Sequence, residues 1–368
     1  MSALTREAVL SALAAVEDPA FHKPMLELGT LSDVVVEGNG VRASVRLAAP
    51  SDELQATIRE RIQQALAPLG AGEVTLEWDL QIPTRDVGQD DPIPEVRNVI
   101  LVMSGKGGVG KSTTAVNLAL ALKRAGARVG LLDADIYGPS IPTMLGIQGF
   151  PNSEDGKTIE PLERFGVKLM SIGFLMEDTK AAIVWRGPML HGALQQFLQD
   201  VKWGALDYLV FDLPPGTGDV ALSLAQKLKV TGAVIVTTPQ EVALQDAYKS
   251  VSMCEKLNFP ILGVVENMSY FVDSVGEKHF LFGEGGGQRI ADFAKAPLIG
   301  QVPLEPKVRE WGDKGTPIVQ AMPSSDSAKA FAKIADTLTE LIAQKHFERQ
   351  GSEKAPSVSG PRRLKIVR

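Results

Sequence analysis

Cysteine is almost absent from this chain of 368 residues, with Cys254 the single example. No intrachain disulfide can form, and the composition fits a reducing compartment, so a cytoplasmic location is expected. The four histidines (His22, His191, His279 and His346) show no zinc-binding spacing. Long apolar runs are missing as well: stretches such as residues 99–103 and 233–236 are far too short to span a bilayer. The N-terminal sequence MSALTREAVLSALAAVEDP carries Arg6, Glu7, Glu17 and Asp18. It lacks the charged-then-apolar order of a signal peptide and reads as a helix. The net charge is −6, so the surface is not built for nucleic acid or anionic lipid, and neither nucleic acid nor membrane is expected as a partner. No internal repeat is visible.

What is present is an ordinary globular composition, 44% hydrophobic and 22% charged, with length enough for two domains. Residues 5–16 have helical spacing of Leu, Ala and Val. Residues 33–37 and 41–47 alternate as strands around the hairpin signal Gly38-Asn39-Gly40. Residues 51–66 are helical again, with Ser51 and Asp52 able to cap the start, and 73–80 read as a strand. This α-β-β-α-β order predicts a small α+β domain over 1–80. Residues 81–97 (QIPTRDVGQDDPIPEVR) are rich in proline and mixed charge and read as a linker. From 98 the pattern changes. Apolar runs at 99–103, 128–132, 167–172, 208–211, 233–238, 261–265 and 298–302 alternate with helical stretches. Runs without polar alternation imply strands buried on both faces, hence an α/β domain over 98–346 with a mostly parallel sheet covered by helices. Residues 347–368 lack a pattern and are expected to be a disordered tail.

The sequence Gly105-Lys106-Gly107-Gly108-Val109-Gly110-Lys111-Ser112 fits G-x-x-x-x-G-K-[ST]. It follows a strand and opens a helix at Thr113, the context that a phosphate-binding P-loop requires. Glycines let backbone N–H groups of Gly105 through Thr113 turn toward phosphates, and the helix N-terminus adds partial positive charge. Lys111 is expected to reach the β- and γ-phosphates of ATP, and Ser112 to ligate Mg²⁺.

Leu131-Leu132-Asp133-Ala134-Asp135 ends the second core strand, at the edge where open parallel sheets bind ligands. Asp135 is the candidate for orienting the attacking water, while Asp133 can support the metal or the loop. Tyr208-Leu209-Val210-Phe211-Asp212 reads as a Walker B strand with Asp212 holding Mg²⁺. The loop from Leu213 to Asp219 has the glycines and rigidity of a γ-phosphate sensor. Asn267 follows another strand and can offer its amide to an adenine edge. Pro239 and Glu241 also follow a strand, and either border the nucleotide or serve the loop and helix cap.

Several of these stretches resemble known families. Lys106-Gly-Gly-Val-Gly-Lys-Ser-Thr resembles the deviant Walker A motif of the MinD/ParA-like ATPases. That likeness implies a homodimer in which Lys106 reaches the partner's nucleotide and places positive charge where the transition state builds negative charge. Asp133-Ala-Asp-Ile-Tyr-Gly-Pro-Ser-Ile-Pro, Trp185-Arg-Gly-Pro-Met, Asp212-Leu-Pro-Pro-Gly-Thr-Gly-Asp and Glu266-Asn-Met-Ser-Tyr together resemble the Mrp/ApbC iron–sulfur cluster carriers. The first 80 residues or so resemble the iron–sulfur assembly-type domain that precedes the ATPase in many of them. The resemblance implies a P-loop ATPase that binds and transfers iron–sulfur clusters, with apo iron–sulfur proteins or assembly factors as partners, and with Asn267 at the base.

The sequence departs from that family at two places. Cluster-carrying members usually have a Cys-x-x-Cys pair after the Asn-Met-Ser-Tyr stretch. Here the region is Phe271-Val272-Asp273-Ser274-Val275-Gly276-Glu277-Lys278-His279, without cysteine. The N-terminal domain often has a reactive cysteine where this chain has Ala48 through Glu53. Clusters are normally held by four thiolates, and a dimer of this chain supplies two, both Cys254 in an apolar helical stretch. Asp273 and His279 are able to ligate iron, though such residues are commonly plain surface groups. Three expectations follow. The first is a cluster carrier using non-cysteine or external thiol ligands. The second is an ATP-driven adaptor without a cluster. The third, a ParA- or MinD-like positioning ATPase, is disfavoured because only the short Pro361-Arg-Arg-Leu-Lys-Ile-Val-Arg ending is basic.

Overall fold

The computed structural model describes residues 4–136, 138–175, 187–216 and 218–353. The first segment forms its own layer pair. Helix α1 (Arg6–Leu13) is capped by Thr5, whose hydroxyl accepts from the Ala8 N–H at 3.3 Å. Strands β1 (Leu31–Glu37) and β2 (Gly40–Leu47) pair antiparallel across Gly38, whose φ of +64° the tight turn requires. Helix α2 (Asp52–Leu66) starts at Ser51, which accepts from the Leu54 N–H at 3.1 Å, and buries Leu54, Ile58, Ile62 and Leu66 along one stripe. Strand β3 (Val74–Leu80) then joins β2 in parallel, Val41 opposite Val74 and Leu47 opposite Leu80. The inward residues Val41, Ala43, Val45 and Leu47 meet the α2 stripe in one core.

The proline-rich segment 81–97 carries no regular element until its final residues, yet it is not a free tether. Ile82 and Ile93 are buried in the cores of the next domain. Arg85, 4% exposed, forms a buried ion pair with Asp91 and also donates to the Ile93 carbonyl at 3.1 Å and the Lys229 carbonyl at 3.2 Å. The composition that reads as a linker therefore describes a strap fastened to the surface it crosses.

The larger domain is an eight-stranded sheet among the described residues. In chain order its elements are β4 (Val96–Met103), α3 (Lys111–Arg124), β5 (Val129–Asp133), β6 (Leu162–Arg164), β7 (Val167–Ser171), α4 (Gly187–Gln199) and β8 (Leu206–Asp212). They continue with α5 (Asp219–Lys227), β9 (Gly232–Thr237), α6 (Glu241–Lys256), β10 (Ile261–Glu266), the short hairpin β11 (Phe271–Val272) and β12 (Lys278–His279), α7 (Gly286–Ala294), β13 (Leu298–Gln301), α8 (Pro306–Asp313) and α9 (Asp326–Glu353). The spatial order is β13-β10-β9-β4-β8-β5-β7-β6. Every neighbouring pair is parallel except β6–β7 at one edge. The strands are apolar without alternation because helices cover both faces: α3 and α9 on one side, α4 to α7 on the other. Cys254 lies in the second of these cores, its thiol 3.6 Å from the Met103 sulfur.

The C-terminal helix α9 continues to Glu353, past the point at residue 347 where the sequence pattern fades. A tertiary contact accounts for the extension: Phe347 packs on Phe21 of the N-terminal domain with ring centroids 4.9 Å apart. Gln344 donates to the Ala20 carbonyl at 2.7 Å, and Lys333 pairs with Glu53, so α9 is also the platform on which the small domain rests.

Candidate nucleotide-binding site

The loop between β4 and α3 is shaped by where a side chain has no room. A Cβ on Gly105 would lie 2.0 Å from the Asp246 carbonyl oxygen, so the loop can pass α6 only as glycine. Gly110 has φ +84°, and its Cβ would meet the Asn267 amide nitrogen at 2.1 Å. A Cβ on Gly107 or Gly108 would meet nothing within 4 Å: that side of the loop opens into the space that phosphates fill. Val109 is buried and anchors the loop, while Lys106 is exposed. The Ser104 hydroxyl donates to the Lys106 carbonyl at 3.0 Å, and Thr114 donates to the Gly110 carbonyl at 2.9 Å.

Two acidic residues, Asp212 and Asp135, meet Lys111, and a third, Asp133, stands beside Asp212. Parallel pairing sets Asp133 of β5 directly beside Asp212 of β8, at the carboxyl ends of both strands. Lys111 is 6% exposed; its Nζ donates to Asp212 Oδ1 at 2.6 Å and lies 3.2 Å from Asp135 Oδ2 and 3.3 Å from the Ser112 hydroxyl. Burial raises the Asp212 pKa, and the Lys111 charge opposes that rise. Burial, and then the charge of Asp212, push Asp133 up to about 8. Asp133 points away from Lys111: Oδ2 accepts from Ser171 at 2.9 Å and from the Ile141 N–H at 3.3 Å, and Oδ1 from the Asp135 N–H at 3.2 Å. These bonds tie Asp133 to the Asp135 loop and to Ser171.

Asp212 Oδ2 is buried without a hydrogen-bond partner among the described residues. An orphaned carboxylate oxygen beside the Ser112 hydroxyl is an oxygen donor set of the kind that suits Mg²⁺. The residues therefore fit the expected ion, which Ser112 and Asp212 would hold.

A cavity of about 660 Å³ runs from the loop along Gly108, Gly110 and Thr113 to Asn267, Met268 and Leu304. A cavity of about 790 Å³ lies elsewhere, beside Thr84, Lys229 and Pro260 at the amino ends of β9 and β10. Nucleotides bind beyond carboxyl ends of such strands, so the first cavity is the one assigned. Asn267 lines it, but its amide donates to the Val109 carbonyl at 2.9 Å, so the residue expected at the base also pins the phosphate loop. Pro239 and Glu241 do not line it: Pro239 backs Gly286 at the start of α7, and Glu241 is exposed and pairs with Arg289 at 3.0 Å. Met268, Leu304 and Arg309 were not expected. The rule that ligands sit past strand ends, applied to β13, points to Leu304. Tyr137, Trp185, Arg186 and Thr217 lie outside the described residues, as does the Asp219 side chain.

The fold and the site together define a P-loop nucleotide-binding protein with a mostly parallel sheet. Residues 95–339 match the NUBPL iron-transfer P-loop NTPase family, and residues 6–76 match the iron–sulfur cluster assembly protein family. The chain is 47% identical to the iron–sulfur cluster carrier protein of Synechocystis over 92% of its own length and 98% of that protein. It is 51% identical to the Escherichia coli K12 iron–sulfur cluster carrier protein over 72% of this chain and 73% of the other. Among solved structures, an Archaeoglobus fulgidus nucleotide-binding protein in complex with ADP matches with a TM-score of 0.56 and 39% identity, covering 67% of this chain and 98% of that one. Pyrococcus furiosus MinD, at 24% identity, TM-score 0.50 and coverage of 66% and 99%, shares the fold. This chain belongs to the NUBPL-type iron-transfer P-loop NTPase family.

Proposed function

We propose that this protein is a Mg²⁺-dependent, homodimeric ATPase of the cytoplasm that carries iron–sulfur clusters to apoproteins. The observation that carries the ATPase part is Lys111, held among Asp212, Asp135 and Ser112 beneath an open glycine loop. When ATP enters, the phosphates replace the carboxylates as partners of Lys111. Released from the lysine, Asp212 turns its charge, with Ser112, toward Mg²⁺. Mg²⁺ held by these two residues would neutralise phosphate charge. Asp135 then holds the attacking water. Exposed Lys106 on a second copy supplies the positive charge for the transition state. The carrier part is supported by the relatives named above, at 47% and 51% identity.

One observation favours the adaptor instead. Cys254 is fully buried, and burial pushes its thiol up to about 12, far from the thiolate that binds iron. Anaerobic reconstitution of the full chain with iron and sulfide separates the two. A brown chromophore that activates an apo-ferredoxin supports the carrier. A colourless protein that still hydrolyses ATP leaves the adaptor.

A further inference from the structure

The chain is placed in an iron-transfer family, yet its one thiol is sealed in a core. The hairpin β11–β12 offers a different ligand set. Asp273, Glu277 and His279 each present a ligand atom, and these atoms lie within 4.8 Å of one another, the group of this kind found among the described residues.

The backbone prepares the set. Phe271 pairs with His279 and Val272 with Lys278, which brings the two ends of the turn together. Asp273 Oδ1 is used by the turn, accepting from the N–H groups of Val275 and Glu277 at 2.9 Å each. That leaves Oδ2 aimed across the hairpin, 2.8 Å from His279 Nε2. Below the turn, the Tyr270 carbonyl accepts from the Leu304 N–H at 2.7 Å and Ser269 N–H donates to Val302 at 2.9 Å. The hairpin is thus fastened to the rim of the nucleotide cavity, where Met268 and Leu304 sit.

We infer that Asp273, Glu277 and His279 bind a single divalent first-row metal ion, ferrous iron as cargo, on the exposed hairpin. The inference rests on the iron-carrier reading and adds the site and the form of iron. One imidazole and two carboxylates suit a mononuclear Fe²⁺, Co²⁺ or Zn²⁺, whereas assembled clusters call for thiolates. The ion takes the place of the direct contact between His279 Nε2 and Asp273 Oδ2. Three protein ligands leave coordination positions open for exchange with a receiving protein, which a closed four-ligand structural site does not.

Co²⁺ is the spectroscopic probe, titrated into the full-length protein without nucleotide and with excess Mg²⁺ to occupy Asp212. The expected result is visible d–d absorption saturating at one ion per chain, with affinity lost about 10-fold or more in Asp273→Asn and in His279→Ala. Cys254→Ala should titrate like the wild type. Retained ADP binding by each variant shows that the domain is folded. Absorption unchanged in both hairpin variants, or no Co²⁺ bound by the wild type, overturns the site. The same variants, reconstituted with iron and sulfide, keep the two ideas apart. A transferable chromophore with no hairpin-dependent Co²⁺ leaves the carrier and removes this site. Hairpin-dependent Co²⁺ with no iron delivered to any apoprotein leaves the site and removes the carrier.

Discussion

Lys111 Nζ donates to Asp212 Oδ1 at 2.6 Å, so the lysine that should meet phosphate is held by the carboxylate that should meet metal. Each masks the charge of the other in a site where an uncompensated charge would be costly. Nucleotide and ion together can replace both contacts; either one alone leaves a buried charge behind. Tight nucleotide binding should therefore require Mg²⁺, and EDTA should weaken ATP binding in a filter or calorimetric assay. Affinity equal with and without the ion would contradict this exchange.

Lys111→Ala should lower hydrolysis by about 100-fold or more through lost phosphate contact. It should also destabilise the apo protein by about 3 kcal/mol, because Asp212 is left buried without its cation. Phosphate release and urea denaturation report the two effects separately. Exposed Lys106 should behave differently. Lys106→Ala should leave ATP affinity within a few-fold and lower turnover by roughly 100-fold, as removal of a charge supplied across a dimer does. Unchanged turnover would end the dimer-gating idea.

The loop geometry was largely legible beforehand, because a P-loop is written in consecutive residues. Strand positions were legible for a similar reason: burial on both faces leaves uninterrupted apolar runs such as that of β4. The edge strand β6 (Leu-Glu-Arg) has no such run and was invisible. What joins distant parts was also hidden. Nothing local says that Asp133 will stand beside Asp212, that Ser171 will occupy Asp133, or that Arg85 will seal the 81–97 strap against Asp91. The helix beyond residue 347 depends on Phe21, which is far away in the chain.

The seat of the small domain on α9 should be sensitive to pH. Burial, then the charges of Glu340, Glu53 and Asp52, raise Asp336 to about 6, with Lys333 opposing. Glu340 is raised in the same way. The folded pKa of Asp336, about 6, exceeds the ordinary 3.8, so folding takes up a proton between those values. The stabilising contribution is complete below about pH 4 and is lost as pH rises through 6. Asp336→Asn should therefore stabilise the protein at pH 8 by on the order of 1 kcal/mol and change little at pH 4. Thermal melts at both pH values test this, and equal shifts at the two would reject the assignment.

Glu266 is a fully buried carboxylate with no ion-pair partner among the described residues. It is held by donors alone. Ser269 donates to Oε1 at 2.5 Å, Gln301 donates to the same oxygen at 2.9 Å, and the Gly287 N–H at the start of α7 donates to Oε2. An acceptor-only group is what three donors and a helix N-terminus call for. Glu266→Gln keeps the shape but turns an NH₂ toward at least one donor. It should cost about 2 kcal/mol in urea denaturation, the penalty of a buried mismatch. Asn267 follows Glu266 directly and pins Val109, so the apparent affinity for ATP should weaken as well, with less effect on turnover at saturation. A variant as stable as the wild type, with an unchanged KM, would show that the Glu266 network does not position the nucleotide loop.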